Sequence, residues 1–249
     1  MSLENAEWWE YARPFRHFRA KRALTDEAYQ RVASKFKEIS TASRTDGKPL
    51  LEKRYENYDA LMLSFNEHLA HSFCEIFGEQ QLRFLAGLIG MPFVPRIVGA
   101  LHSSPANSRT GWIHTDYCVV WFDECRSSLS PITFPDSSTC DYFTGRAKSP
   151  SARPVPYVRA AAMIYYLCND GWSQPDGGQT ALYSTIRGDG SSELISPLNN
   201  SILFFECCPH SYHRFIANPG RERNSLILWL HLPVSEAESR WGPPNRQPQ

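Results

Sequence analysis

What this chain lacks narrows it quickly. It has no surplus of either charge: 26 Lys and Arg stand against 26 Asp and Glu in 249 residues. Nothing in that balance calls for a polyanion, so nucleic acid is not an expected partner. No apolar run approaches the roughly 20 residues of a membrane span. The start, Met1 to Glu10, is acidic and lacks the basic-then-apolar order of a signal peptide. There is no glycine-rich phosphate loop, no HExxH of a zinc protease and no GxSxG nucleophile elbow. No two cysteines form a CxxC, which argues against structural zinc. The seven cysteines, Cys74, Cys118, Cys125, Cys140, Cys168, Cys207 and Cys208, are an odd number and read as reduced thiols of a cytoplasmic protein. Ordinary globular values, 42% hydrophobic and 21% charged, fit one domain over residues 1–249 with room for a real core.

What is present divides at about residue 90. The first part reads as helices over about 15–90. Thr25 before Asp26 and Glu27 is an N-cap opening a periodic run to Ile39. Residues 40–56 read as a loop, and 58–77 as a second helix with Leu61, Leu63, Phe65, Leu69, Phe73 and Ile76 on its apolar face. A third helix runs from Glu79 to Gly90, closed by Pro92 and Pro95. After that come short β-branched and aromatic runs at 96–103, 111–121, 158–168, 179–184, 201–206, 211–218 and 223–232. Helices followed by a run of short strands predict an α+β fold. Its core, about 96–232, is a jelly roll (double-stranded β-helix) with the N-terminal helices packed against it. Residues 123–157 are polar and aperiodic. A lid over the site and an insertion with no role both fit them. The tail from Glu236 is expected to fray.

The chemistry-bearing residues lie in the second part. His114 and Asp116 are two apart, so on a strand they share a face and can reach one ion. Alone, such a pair is weak, because eight histidines produce it by chance and a surface strand end explains it. A third ligand is needed, from His210 or His213. His213 heads an apolar stretch and is preferred; His210 follows Pro209 in a turn. Two imidazoles and one carboxylate make the facial triad that holds Fe(II) and leaves positions open for a cosubstrate and O2. Ten residues on, Arg223 shares one strand face with Ser225, Ile227, Trp229 and His231. A guanidinium and a hydroxyl there can grip a dicarboxylate such as 2-oxoglutarate, although a rim salt bridge explains Arg223 taken by itself. His17, His68, His71 and His102 show no partner pattern.

With these residues in place the chain resembles the Fe(II)/2-oxoglutarate-dependent dioxygenases, in their prolyl-hydroxylase-like branch, over about residues 96–232. The strongest stretch is Arg159-Ala-Ala-Ala-Met-Ile-Tyr-Tyr-Leu-Cys-Asn-Asp-Gly-Trp172 followed by Asp176-Gly-Gly-Gln-Thr-Ala-Leu-Tyr183. It is similar to the Tyr-Leu-Asn, Trp, Gly-Gly-x-Leu pattern of the oxygen-sensing prolyl hydroxylases. The resemblance implies metal ligands His114, Asp116 and His213, and Arg223 on the distal carboxylate of 2-oxoglutarate. It implies Tyr166 on the same carboxylate and Trp229 lining that pocket, where plain core aromatics would serve as well. No catalytic residue beyond the metal ligands is implied. Cys168 stands where the family has asparagine, and the 123–157 segment departs from the compact pattern.

The implied cofactors are Fe(II), 2-oxoglutarate and O2, with ascorbate as an optional reductant. The implied reaction oxidises an unactivated C–H bond and yields succinate and CO2. Hydroxylation is the leading outcome, with desaturation or ring closure as its variants. The expected substrate is a small molecule, a free amino acid or a biosynthetic intermediate. A protein prolyl or other residue is the second reading, and a metal-binding cupin without catalysis the third. Spacing says nothing of oligomeric state.

Overall fold

The computed structural model describes residues 3–43, 46–125 and 131–245. In chain order the elements are strands β1 (Glu7–Tyr11) and β2 (His17–Lys21), helix α1 (Asp26–Thr41), strands β3 (Glu52–Tyr55) and β4 (Tyr58–Ser64), and helices α2 (Glu67–His71), α3 (Cys74–Phe77) and α4 (Glu79–Leu88). Then follow β5 (Ile97–Ser104), β6 (Val119–Asp123), β7 (Pro154–Tyr166), β8 (Thr180–Tyr183), β9 (Ser192–Ile195), β10 (Ser201–Glu206), β11 (Tyr212–Phe215), β12 (Arg223–Pro233) and α5 (Val234–Trp241). The strands form a jelly roll. A large antiparallel sheet runs β1-β2-β10-β7-β12-β5-β4-β3 with β6 alongside β7, and a small sheet runs β11-β8-β9. Among the described residues, no helix is long and apolar enough to cross a membrane.

One face of the large sheet carries the helices. From β7 and β12 it presents Ala161, Met163, Tyr165, Leu226, Leu228 and Leu230, all buried in the core that takes in Val32, Phe36 and Ile39 of α1 and Leu82 and Leu85 of α4. The Thr25 side chain caps α1 by accepting from the Ala28 N–H, as the sequence predicts. Gly99 of β5 lets α3 come close: a Cβ there would stand 2.4 Å from the Phe77 ring. The other face of the large sheet looks toward the small sheet, and the space between them holds the site.

Several expectations need correction. The run 58–77 is not one helix: Tyr58–Ser64 is a strand and only Glu67–His71 and Cys74–Phe77 are helical. Leu61, Leu63 and Phe65 already alternate with period two, and the Asn66 side chain then caps a new helix by accepting from the Leu69 N–H. The N-terminal part is therefore mixed, with four strands extending the large sheet at both edges and one of them, β3, inside the expected 40–56 loop. The strand expected at 111–121 is regular only over Val119–Asp123. The tail does not fray at Glu236: α5 buries Ala237, and the Tyr117 hydroxyl donates to the Ala237 and Gly242 carbonyls. Residues 246–249 of that tail, and 126–130 of the 123–157 segment, lie outside the described residues. Parts of the rest of the segment are anchored to the body of the protein. Phe134 is buried against Phe77, and Arg96 holds Glu124 at 2.6 Å.

Candidate metal and cosubstrate site

The two halves of the site are brought together by backbone pairing. His114 and His213 face each other across an antiparallel bridge, exchanging N–H···O bonds of 3.1 and 2.9 Å. The Gly111 N–H donates to the Phe215 carbonyl, so 111–114 runs beside β11 without being a regular strand. Side chains two apart still project to one side there, and the Asp116 carboxylate lies 3.8 Å from His114 Nε2 and 3.6 Å from His213 Nε2. The three groups offer ligand atoms within 4.8 Å of one another. His114 Nδ1 meets the Trp112 carbonyl at 3.1 Å and His213 Nδ1 the Ser211 carbonyl at 3.0 Å. Each ring is thereby fixed with its Nε2 lone pair turned to the shared point, the arrangement that metal-bound histidines use. His210 is exposed in a turn.

Asp116 is held from outside by two residues, and the sequence placed neither of them on its carboxylate. The Trp229 indole N–H donates to Asp116 Oδ2 at 2.8 Å, and Arg159 Nη1 lies 3.4 Å from Oδ1. Burial alone would raise the Asp116 carboxyl, but His213, Arg159, His114 and the indole N–H together hold it at about 2. Arg159 is buried, stacks over the Trp229 ring at 4.4 Å and donates from Nε to the Tyr142 hydroxyl. Tyr142 also meets His231 Nε2 at 3.0 Å, so the 123–157 segment props this network, and its neighbour Phe143 lines the cavity.

A β-bulge is what turns Arg159 inward. On β12 the residues 223, 225, 227, 229 and 231 share the cavity face. They pair across to β7 as Ser225 with Tyr166, Ile227 with Ile164, Trp229 with Ala162, and then His231 with Arg159. The last step skips Ala160. Strict alternation would have put Arg159 with Ala161 and Met163 on the helix side; one extra residue reverses it. The Ala160 carbonyl is taken instead by the Cys207 N–H.

Arg223, only 3% exposed, lines the same cavity of about 540 Å³. Its Nη1 donates to Ser225 Oγ at 2.8 Å and its Nη2 to Thr180 Oγ1 at 3.2 Å, while Nε has no partner. The guanidinium lies 5.0 Å over the Tyr166 ring, whose hydroxyl donates to Thr180 at 2.7 Å. A buried cation that meets only hydroxyls is short of an anion, and a dicarboxylate fits that need. The neighbouring turn is made by Gly177 and Gly178, both at positive φ (71° and 76°); a Cβ on Gly178 would stand 3.1 Å from Arg223. The asparagine missing at 168 stands at 169. Its amide clamps the start of β12, donating to the Asn224 carbonyl and accepting the Asn224 N–H.

His102, which shows no partner pattern in the sequence, also lines this cavity. Only the pairing of β5 with β12, which sets His102 opposite Ser225, reveals it. Burial and the Arg223 charge push its imidazole down to about 3, and burial likewise holds His231 at about 3 and His213 at about 4. These rings fold neutral but would take a proton near pH 6.5 when unfolded. The unfolded chain thus binds more protons below pH 6.5, and stability falls as pH drops from there toward 3. Melting temperatures of the metal-free protein between pH 7.5 and 4.5 should fall steeply, each ring costing about 1.4 kcal/mol per pH unit; a flat profile would contradict buried neutral rings.

Residues 149–231 match the family profile of the 2OG-Fe(II) oxygenase superfamily. No curated protein matches the chain. Among solved structures, a Pseudomonas putida prolyl-4-hydroxylase is 15% identical with a TM-score of 0.50, over 92% of this chain and 94% of that one. A Trichoplax adhaerens prolyl hydroxylase, in complex with a hypoxia inducible factor peptide fragment, is 12% identical with a TM-score of 0.55, over 95% and 88%. A viral collagen prolyl hydroxylase from Paramecium Bursaria Chlorella virus-1, solved with 2-oxoglutarate, is 10% identical with a TM-score of 0.50, over 92% and 98%. At these identities the likeness is one of fold, a prolyl-hydroxylase-type jelly roll. The profile match over residues 149–231, together with the His114–Asp116–His213 cluster, makes this chain similar to the 2OG-Fe(II) oxygenases, which take Fe(II), 2-oxoglutarate and O2.

Proposed function

We propose that this chain is a 2-oxoglutarate-dependent dioxygenase that hydroxylates an unactivated C–H bond of a small molecule, such as a free amino acid or a natural-product intermediate, in the cytoplasm. The observation that carries the reading is one cavity of about 540 Å³ with the His114–Asp116–His213 cluster and the anion-seeking Arg223 on its wall. That volume suits a compact ligand beside the cosubstrate. Tyr58, Trp112 and Phe143 line the same space. His114, Asp116 and His213 hold Fe(II) through two Nε2 atoms and a carboxylate. Arg223 holds the distal carboxylate of 2-oxoglutarate, Ser225 and Thr180 fix the guanidinium, and the Tyr166 ring lies beneath it. When bound, iron supplies the oxidation: R–H, 2-oxoglutarate and O2 become R–OH, succinate and CO2. The protein supplies ligation, orientation and a cavity with apolar walls.

Trp229 and Arg159 orient Asp116 without touching the metal. Trp229→Phe keeps an aromatic ring and removes the N–H, so Fe(II) affinity should fall about 10- to 100-fold. An unaltered affinity would show that the indole N–H is irrelevant to ligation.

A protein residue as substrate is the second reading. It is favoured by Trp112 and Tyr55, which line the cavity yet are 48% and 46% exposed, where an extended peptide could lie. The test is anaerobic titration with Fe(II) and then 2-oxoglutarate, watching for the visible band of the chelate near ~500 nm, followed by succinate release with free amino acids and with prolyl peptides. Turnover of peptides alone would replace the first reading by the second. Iron bound without any band would leave a metal-binding cupin.

A further inference from the structure

Arg223 is not the only group lining the cavity that waits for a partner. His102 is 3% exposed, and neither of its ring nitrogens has a hydrogen-bond partner. Buried polar groups are paired almost without exception, because an unmade bond forfeits the full cost of leaving water. A buried imidazole with both nitrogens unused, on the wall of a ligand cavity, is therefore best explained by a ligand.

Its position says which ligand. His102 pairs with Ser225 across β5 and β12, and with Met62 across β5 and β4. Cross-strand partners share a face, so the imidazole stands beside the Ser225 hydroxyl that already accepts from Arg223 Nη1. Tyr58 packs edge-on against it at 6.2 Å between ring centres. The orphaned Arg223 Nε and the orphaned imidazole thus belong to one corner of the cavity. Two of the guanidinium nitrogens of Arg223 already meet Ser225 and Thr180, so the groups of this corner without any partner are the Arg223 Nε–H and the His102 ring.

We infer that His102 is a second binding residue for 2-oxoglutarate, donating one ring N–H to the distal carboxylate that Arg223 holds. The inference rests on the proposed cosubstrate site and adds a residue to it. A neutral imidazole carries one N–H and one lone pair. One nitrogen serves the carboxylate, and the other is free to accept from a water or from the substrate.

The test is binding, read by the anaerobic Fe(II) chelate band and by calorimetry, for wild type, His102→Ala and His102→Asn. Each variant is measured with 2-oxoglutarate and with 2-oxobutanoate, which chelates iron in the same way but has no distal carboxylate. The expected result is a Kd for 2-oxoglutarate raised at least 10-fold in His102→Ala and largely restored in His102→Asn, with 2-oxobutanoate binding unchanged in both. Equal weakening for both keto acids would mean a general packing role and would overturn the assignment, as would unchanged 2-oxoglutarate binding in His102→Ala. If wild type binds iron but not 2-oxoglutarate, the cosubstrate site itself fails, and the wild-type titration alone shows it.

Discussion

Asp116→Ala should abolish turnover and strip the protein of stoichiometric Fe(II). Asp116 is the anionic member of the cluster, and it lies within 3.8 Å of both imidazoles. Its loss leaves two neutral rings, which cannot offset the charge of a divalent cation in a buried pocket. Partners that merely orient a ligand are worth about 10- to 100-fold in affinity, so removing the ligand should cost more than about 100-fold. Arg159 makes the loss sharper, since its buried guanidinium would be left beside the vacated position. The measurement is iron content after desalting together with succinate formation. Retained iron with retained turnover would dismiss the triad. Asp116→Ala should also melt lower than wild type even without metal, for the same uncompensated cation.

Arg223→Ala should leave iron binding intact and raise the 2-oxoglutarate requirement. Removing one partner of a buried, hydrogen-bonded charge pair costs about 2–5 kcal/mol, which corresponds to roughly 30- to 5000-fold in Kd. Arg223→Lys should recover only part of this. The ammonium keeps the charge but cannot bond Ser225, Thr180 and a carboxylate in one plane as the guanidinium does. A 2-oxoglutarate titration of all three proteins, with iron measured in parallel, separates the two anchors. If Arg223→Ala loses iron instead, the arginine is structural; if nothing changes, the cosubstrate binds elsewhere.

The parts of this molecule that could be read in advance are those whose signal is local or chemical. The Thr25 cap and the helix after it need only neighbours in sequence. The set 114, 116, 213 and 223, which the fold gathers on one cavity, stands out in the sequence because those residue types in that order are what a metal ion and an anion would demand. What escaped depends on contacts the chain makes only when folded. In 58–77 two periods are spliced at Asn66, two-residue alternation before it and helical spacing after, and a single window averages them into one helix. The edge strands β1 to β4 gain their place from the sheet they join more than from their own composition. His102 has no motif around it; its meaning comes from Ser225, 123 positions later in the chain. Trp229 was legible as a pocket aromatic, but its hydrogen bond to Asp116 was not.

Arg159 was hidden for a different reason, and the extra residue at Ala160 carries a consequence for comparing this protein with others. Upstream and downstream of that point β7 follows two different counting frames. An alignment that runs through it without a gap will equate an outward-facing residue of an unbulged relative with Arg159 here. A relative could then carry the same guanidinium one place along and be scored as lacking it. Grafting Tyr157–Tyr166 into another jelly roll likewise requires that the host accept one residue more than its partner strand offers. A host without the bulge would run the full graft in regular register and deliver the arginine to the helix side of the sheet, whereas a graft lacking Ala160 would return it to the cavity side.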